Sequence, residues 1–261
     1  MKTFRYALVS LLLALLAACS QQEGGAPAAA QPAAAAPASA PAAADAPAFT
    51  PVAGQHYVEI ADPQPFQPLD GRIEVVEVFG YTCPACASFE PLVSAWKARQ
   101  PDDVRVTLLA APFGGYWMPY AKAFYAAEAQ GLVDATHQAM FDAVHRQRSL
   151  PVQGVSTEAI AAAYAAHGAD AREFARAMES FAVSGQMRRA RQFVDRTGVD
   201  STPTMIVNGR YRVIAGQDFQ DVLRTVDYLV ERERAAAGAG AVEAEQSADE
   251  AANEAAEDTA S

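Results

Sequence analysis

Two cysteines, Cys83 and Cys86, constrain the fold of this chain more than any other feature. They follow the β-branched run Ile73–Phe79 and open the helix-like segment 87–99, with Pro84 suited to the first helical turn. A thiol at the start of a helix gains from unpaired backbone N–H groups and from the positive end of the helix dipole. Both effects lower a cysteine pKa and populate the thiolate. The pattern therefore predicts a redox-active thiol pair between a buried strand and a helix.

A zinc site is the main alternative for a C-x-x-C pair, but zinc needs a second pair of ligands. The third cysteine, Cys19, belongs to the N-terminal segment, and the histidines are scattered. We therefore expect no metal site and no cofactor. A purely structural bridge is disfavoured, because so small a loop removes little chain entropy. The histidines are expected at the surface; they are His56, His137, His145 and His167.

The first 19 residues have the layout of an export signal. Basic residues precede an apolar run that is too short for a membrane span, and small residues follow it. The end of this segment, Leu16-Ala17-Ala18-Cys19, resembles a bacterial lipobox, whose cysteine becomes the lipid-anchored first residue of the mature protein. An ordinary secretory signal is the alternative. Ser20 resembles the residue that permits sorting to the outer membrane, which slightly favours that membrane.

Both ends of the remaining chain are predicted to be flexible. Residues 20–50 are almost entirely Ala, Pro, Gln and Gly, a composition typical of extended tethers. Residues 235–261 are rich in Ala and Glu and lack an apolar stripe, so we expect disorder there. This tail holds seven carboxylates and no base, so the rest of the chain carries only −4 of the net −11. No basic surface for nucleic acid is indicated.

Residues 51–234 are predicted to form one α/β domain. Its opening β-α-β pattern implies a right-handed crossover between parallel strands. A long helical stretch without strand candidates follows, which predicts an inserted helical subdomain at about 115–185. Asn208-Gly209 then predicts a two-residue hairpin turn. The predicted strands are 56–60, 73–79, 104–110, 204–207 and 211–214, and a last helix starts near 218.

In combination, these features resemble the thioredoxin fold. A strand, C-P-x-C, a helix, a strand and a helical insertion precede Ser201-Thr202-Pro203-Thr204, which leads into a hairpin and a last helix. This order is similar to that of DsbA-type thiol:disulfide oxidoreductases of the bacterial periplasm. The resemblance covers about residues 55–233 and implies a thioredoxin-like α/β fold with an inserted helical subdomain.

The resemblance also implies roles for individual residues. Cys83 would be the exposed nucleophile that forms a mixed disulfide, and Cys86 the buried resolving thiol. Pro203 would be a cis-proline packed against this pair, and the backbone of Thr202 would pair with an extended client. We expect the surface around the nucleophile to bind the client as well, through Tyr81, Thr82, Pro84 and Ala85.

Two acids, Glu77 and Glu90, match buried acids of this family. A carboxylate beneath a thiol can take its proton or pass it to water. A solvated position is the alternative for Glu77, although Val76 and Val78 indicate a strand that is buried on both faces. For Glu90 the alternative is simple stabilisation of the first helical turn.

Two departures from the family leave the direction of the reaction open. Ala85 stands where the best-known members carry histidine, so we expect a less depressed Cys83 pKa and a milder oxidant. Thr202 stands where the strongest oxidases carry valine. The stretch 114–118, rich in glycine and aromatic residues, is either an exposed surface for unfolded clients or part of the insertion core.

The implied function is an enzyme that introduces disulfides into reduced or misfolded exported proteins. A quinone-coupled membrane partner of the DsbB type would reoxidise it. A disulfide isomerase or reductase of the same compartment is one alternative, and a non-catalytic binding module on a surface lipoprotein is another. A monomer is expected, because residues 20–50 are too polar and proline-rich to form a dimerisation domain.

Overall fold

The computed structural model describes residues 49–214 and 218–258, with side chains as far as residue 239. The predicted export signal, the lipobox with Cys19 and almost all of the tether 20–50 therefore lie outside the described residues. Within the described ranges, no helix combines the length and the apolar character that a bilayer crossing requires.

A five-stranded mixed sheet forms the centre of the fold, in the order β1-β5-β4-β2-β3. The predicted β-α-β unit is present: β2 (Ile73–Phe79) and β3 (Val104–Ala110) pair in parallel and are joined by α1 (Pro84–Lys97). The other pairs are antiparallel and involve β1 (Tyr57–Glu59), β4 (Thr204–Val207) and β5 (Tyr211–Val213). This arrangement agrees with the predicted α/β fold.

The central strand β2 is buried over its whole length, because it lies between two hydrophobic cores. Val76 and Val78 pack with the helical insertion, whereas Ile73 and Val75 pack on the opposite face with α1 and the last helix. Alternate side chains of a strand point to opposite faces. Glu77 therefore points to the same side as Val75, and a carboxyl group is held in the interior beneath α1.

Helices fill the region between β3 and β4, as predicted. Ser180 sets the start of the last of them, since its side chain accepts a hydrogen bond from the backbone N–H of Val183. Gly198 ends it in the left-handed conformation. The helices are α2 (Trp117–Ala129), α3 (Val133–Phe141), α4 (Thr157–Ala165), α5 (Ala171–Met178) and α6 (Phe181–Thr197), and a π-helical turn (Asp142–Arg146) extends α3.

The hairpin between β4 and β5 has a three-residue connection, so the predicted two-residue turn at Asn208-Gly209 is one residue too short. Both residues have positive φ, as the prediction required. The extra residue, Arg210, accepts a hydrogen bond at its carbonyl from the backbone N–H of Ile60. A Cβ at position 209 would lie 1.9 Å from the Gln64 carbonyl oxygen, which explains the glycine.

The last helix, α7 (Phe219–Asp258), runs far beyond residue 234. The structure thus differs from the disorder predicted for residues 235–261, of which it describes 235–258 as helix. The physical reason is that Ala and Glu have high intrinsic helix propensity, so a helix that is already nucleated continues through them. The absence of an apolar stripe argued against packing, and it does not argue against a helix.

Candidate active site

The thiol pair lies at the N-terminus of α1, where β2 ends. Cys83 is the N-cap residue, and its sulfur accepts a hydrogen bond from the backbone N–H of Cys86 at 3.2 Å. Pro84 occupies the first helical turn, where its missing N–H is not needed. Cys83 is 7% exposed and Cys86 is fully buried, and both are free thiols. The exposed position expected for Cys83 is therefore wrong, although its residual exposure makes it the more accessible thiol of the pair.

The two thiols have opposite acidities. Hydrogen bonding from the Cys86 thiol, with further help from backbone N–H groups, lowers the pKa of Cys83 to about 6. Burial and the adjacent Cys83 sulfur raise the pKa of Cys86 far above its usual range. At neutral pH, Cys83 is therefore a thiolate and Cys86 a thiol. This is the arrangement of a nucleophile with a resolving partner.

The loop before β4 brings a proline to the thiols from far along the chain. The peptide bond between Thr202 and Pro203 is cis, as the resemblance implied. The Cys83 sulfur lies 3.4 Å from the carbonyl oxygen of Thr202, to which a protonated thiol donates. Both Thr202 and Pro203 are half-buried, so their backbone borders the nucleophile at the surface.

Glu77 of β2 is buried and carries an unpaired oxygen. Its Oε2 atom has no hydrogen-bond partner among the residues that the structure describes. Burial and the nearby Glu90 carboxylate raise the pKa of Glu77 to about 8, against a smaller opposing effect of Lys97. The solvated position considered for Glu77 is therefore wrong, and this carboxyl holds a proton at neutral pH.

Glu90 of α1 is also buried, but it has a partner. Its Oε2 atom lies 3.1 Å from Nε2 of His137 in α3, and Nδ1 of the same ring lies 3.0 Å from the hydroxyl oxygen of Tyr81. The surface position predicted for His137 is thus wrong. Its spacing to Met140 and Phe141 on α3, typical of an inward helix face, was the available signal.

A second histidine supports the same loop. His145, in the π-helical turn, donates from Nε2 to the backbone carbonyl of Tyr81 at 2.8 Å. It is half-buried, so the surface prediction fails here as well, whereas His167 is exposed as expected. A π-helical turn is a frequent feature of functional sites. Here it brings His145 to the segment that leads into Cys83.

The predicted client-binding residues fall into two groups. Pro84 and Ala85 are exposed beside Cys83, as expected. Tyr81 and Thr82 are 1% and 5% exposed, so their predicted place on the surface is wrong. Tyr81 packs among Phe79 and Phe141 because the strand carries its aromatic side chain into the insertion core. Both residues therefore lie in the interior and do not form part of the client-binding surface.

The stretch 114–118 combines both alternatives that the sequence left open. Trp117 is half-buried, and its ring covers Gly80 so closely that a Cβ there would lie 2.1 Å from a ring carbon. Tyr116 is 41% exposed. The stretch therefore packs against the strand end that leads to the thiols, and it leaves one aromatic side chain at the surface.

A nucleophilic and a resolving thiol, set beside a cis-proline loop on this sheet, define a thiol–disulfide exchange protein. Residues 70–228 match the family described as Thioredoxin. The Thiol:disulfide interchange protein DsbA of Pseudomonas aeruginosa is 39% identical over 188 residues, which cover 71% of this chain and 87% of that protein. The protein of the same name from Azotobacter vinelandii is 38% identical over 186 residues, covering 70% and 85%.

Solved structures agree with these relatives. The oxidoreductase DsbA from Xylella fastidiosa superposes with a TM-score of 0.69 and 48% identity, covering 71% of this chain and 98% of that one. Pseudomonas aeruginosa DsbA gives a TM-score of 0.66 and 38% identity, covering 72% and 96%. The chain therefore belongs to the thioredoxin family, in its DsbA-type branch.

Proposed function

We propose that this protein is a thiol:disulfide oxidoreductase that introduces disulfide bonds into exported proteins through Cys83 and Cys86. The observation that carries the proposal is the asymmetry of the pair. Cys83 accepts the backbone N–H of Cys86 at 3.2 Å and has a pKa of about 6, while Cys86 is fully buried and stays protonated. A sulfur with a low pKa is a good leaving group, so a disulfide that contains it passes readily to a client.

The transfer takes two exchange steps. A client thiolate attacks the Cys83 sulfur of the oxidised pair, and Cys86 leaves as a thiolate that takes up a proton. A second client thiolate then attacks the client sulfur of the mixed disulfide, and Cys83 leaves as the stabilised thiolate. The client loses two electrons and gains a disulfide, and the enzyme pair is reduced.

The proton for Cys86 comes from Glu77 in this proposal. Glu77 is buried beneath α1, retains a proton at neutral pH and has no other group bound at its Oε2 among the described residues. A leaving thiolate in the interior is costly unless it is protonated. Glu90 lies near Glu77 and raises its pKa, which keeps Glu77 protonated at neutral pH and so able to donate.

The client is held as an extended segment across the thiols. Thr202 offers backbone groups beside the Cys83 sulfur, and Pro203 fixes the course of that loop. Pro84 and Ala85 form the exposed rim on the other side. Main-chain pairing gives affinity without demanding one sequence, which suits an enzyme that acts on many reduced or misfolded proteins.

Two substitutions separate this enzyme from the binding-module alternative. Cys83→Ser should abolish disulfide transfer to a reduced peptide with two thiols, because it removes the nucleophile. Cys86→Ser retains Cys83 but removes the resolving thiol. Mixed with a client that carries a disulfide, its Cys83 thiolate should attack that disulfide, release one client thiolate and accumulate as a mixed disulfide on a non-reducing gel. Transfer that survives Cys83→Ser would refute the enzymatic proposal.

The direction of net transfer is proposed as oxidation, with a quinone-coupled membrane protein of the DsbB type as the reoxidant. Thr202 and Ala85 favour an isomerase or reductase as the second candidate. Alkylation of free thiols in intact cells separates the two. A pair that is mostly disulfide supports the oxidase, and a pair that is mostly reduced supports the second candidate.

We place the protein in the periplasm, as a monomer that is lipid-anchored through Cys19, with the outer membrane slightly favoured. The lipobox-like end of the first 19 residues supports the anchor, and the tether 20–50 would hold the domain away from the bilayer. Cys19→Ser should release the protein from the membrane fraction while leaving disulfide transfer intact. The molar mass of the released protein, measured by analytical ultracentrifugation, should be that of one chain.

A further inference from the structure

Tyr81, His137 and Glu90 form a buried chain of hydrogen bonds. The Tyr81 hydroxyl lies 3.0 Å from Nδ1 of His137, and Nε2 of that ring lies 3.1 Å from Oε2 of Glu90. All three side chains are buried. One neutral tautomer satisfies both contacts: the Tyr81 hydroxyl donates to Nδ1, and Nε2–H donates to the Glu90 carboxylate.

The other buried acid, Glu77, lies on the wall of the same cavity. This cavity has a volume of about 120 Å³ and lies between β2, β3, α1 and α3. Oε2 of Glu90 has Nε2 of His137 at hydrogen-bond distance, whereas Oε2 of Glu77 has no partner among the described residues. The other titratable groups that face Glu77 or line the cavity come from α1, α3 and the active-site loop: Glu90, Lys97, Asp134, His137 and Cys83.

Two neighbouring carboxyls in the interior do not both remain ionised, since like charges at short range favour retention of one proton. The carboxyl that accepts a hydrogen bond stays ionised more easily, and the one without a donor keeps the proton. Of these two acids, Glu90 is the one whose Oε2 lies within hydrogen-bond distance of His137 Nε2. Besides burial, which raises the pKa of Glu77, the contact from His137 of the helical insertion therefore bears on which acid keeps the proton.

We propose that His137 is a positioning residue that keeps Glu90 ionised and thereby assigns the shared proton to Glu77. This inference deepens the proposed function and rests on it, because it names the residue that keeps Glu77, the proposed proton donor to Cys86, protonated. The Tyr81 hydroxyl fixes the tautomer by donating to Nδ1. The active-site loop and the two acids are thus joined through one ring.

The test is a pH titration of the two carboxyls by NMR in the full chain, reduced and labelled with ¹³C at the glutamate side-chain carboxyl. Glu77→Gln and Glu90→Gln assign the two signals. In His137→Phe the ring packing is kept but the donor is lost. The midpoint of Glu77 should then fall by about one pH unit or more, and that of Glu90 should rise.

Two further variants separate the donor from mere packing. His137→Gln places an amide N–H near the Nε2 position, so it should restore the wild-type midpoints. Tyr81→Phe leaves the contact between His137 and Glu90 in place, so it should move both midpoints less than His137→Phe does. Unchanged midpoints in His137→Phe, or a fall of the Glu77 midpoint that is as large in His137→Gln, would overturn the proposal.

The rate of disulfide transfer tests the proposed function separately. If His137→Phe moves the proton to Glu90 and transfer also slows at neutral pH, both proposals stand. If the proton moves and transfer is unaffected, the positioning role of His137 stands and the role of Glu77 as donor to Cys86 is wrong.

Discussion

At the scale of single residues, the sulfur of Cys83 depends on donors that the helix and its partner thiol provide. Its pKa of about 6 arises from hydrogen bonding by the Cys86 thiol and by backbone N–H groups at the start of α1. Ala85, the exposed residue between the thiols, adds a backbone group and no side-chain donor. A substitution at position 85 can therefore change the acidity of Cys83 without disturbing the core.

We expect Ala85→His to lower the Cys83 pKa below that of the wild type, because an imidazole adds a donor or a positive charge near the thiolate. The stabilised thiolate favours the reduced form, so the redox potential should become more oxidising, by ~30 mV for each pKa unit. Thiolate absorbance against pH measures the first effect, and equilibration with glutathione measures the second. Ala85→Leu, which adds bulk without a charge, should leave both unchanged.

The raised pKa of Glu77 makes folding stability depend on pH. The unfolded chain loses this proton near the ordinary glutamate pKa of 4.5, whereas the folded protein keeps it up to about 8. The stability that this group contributes is thus fully present below pH 4.5 and is lost as the pH rises through 8. In the oxidised protein, where the thiols do not titrate, we expect stability to decline over this window.

Glu77→Gln should remove that decline. Above pH 8 the variant should be more stable than the wild type by a few kcal/mol, and below pH 4.5 the two should be similar. Denaturant unfolding of the oxidised protein at both ends of the window measures the difference. Glu158→Gln, at an exposed position of α4, is the control and should show no such gain. Equal pH dependence in wild type and Glu77→Gln would contradict the buried, protonated carboxyl.

At the scale of elements, local patterns predicted the strands and helices around the thiols well. The β-branched run Ile73–Phe79 and the start of α1 were predicted at the observed positions, because local signals define them. The partners of His137 lie 56 and 47 residues away along the chain, and no local signal specifies such contacts. The burial of Tyr81 was missed for the same reason. A single sequence indicates the elements of the site, and tertiary packing decides which polar groups meet.

Gly80 tests one such tertiary contact. Gly80→Ala would place its Cβ 2.1 Å from the Trp117 ring, so the ring must move. We expect a loss of about 1–3 kcal/mol in unfolding free energy, together with a change in tryptophan fluorescence. Gly238→Ala is the matched control: it lies in α7 with nothing within 4 Å, so it should be neutral or slightly stabilising. Equal effects of the two changes would contradict the contact.

At the scale of the whole domain, two hydrophobic cores pack on the two faces of one sheet. The active site lies where the buried strand β2 ends and α1 begins. Cys83 retains a small exposed fraction, Cys86 is fully buried, and the two acids line a cavity between the sheet and the helices. The last helix closes the second core, with Val226, Leu229 and Val230 against the sheet. The order of elements along the chain predicted this arrangement correctly. For residues 235–258 the composition led to a prediction of disorder, because the lack of an apolar face was taken as evidence against a helix.

Among the residues of α7 whose side chains the structure describes, which end at residue 239, the last one that is not exposed is Arg234. Arg234 donates to both carboxylate oxygens of Asp103, at 2.6 and 3.0 Å, and so ties the helix to the turn before β3. The side chains from Ala235 to Ala239 are exposed. Helix that makes no tertiary contact adds ellipticity and little to the stability of the fold.

We therefore expect deletion of residues 235–261 to remove helical circular dichroism while leaving the main melting temperature and the rate of disulfide transfer unchanged. The deletion removes seven carboxylates and no base, so the shortened protein should also elute earlier from an anion exchanger. A matched comparison is Arg234→Ala in the full chain, which keeps the extension and loses the tie to Asp103. It should lower the melting temperature more than the deletion does. A clear drop in melting temperature on deletion would mean that the extension packs against the domain after all.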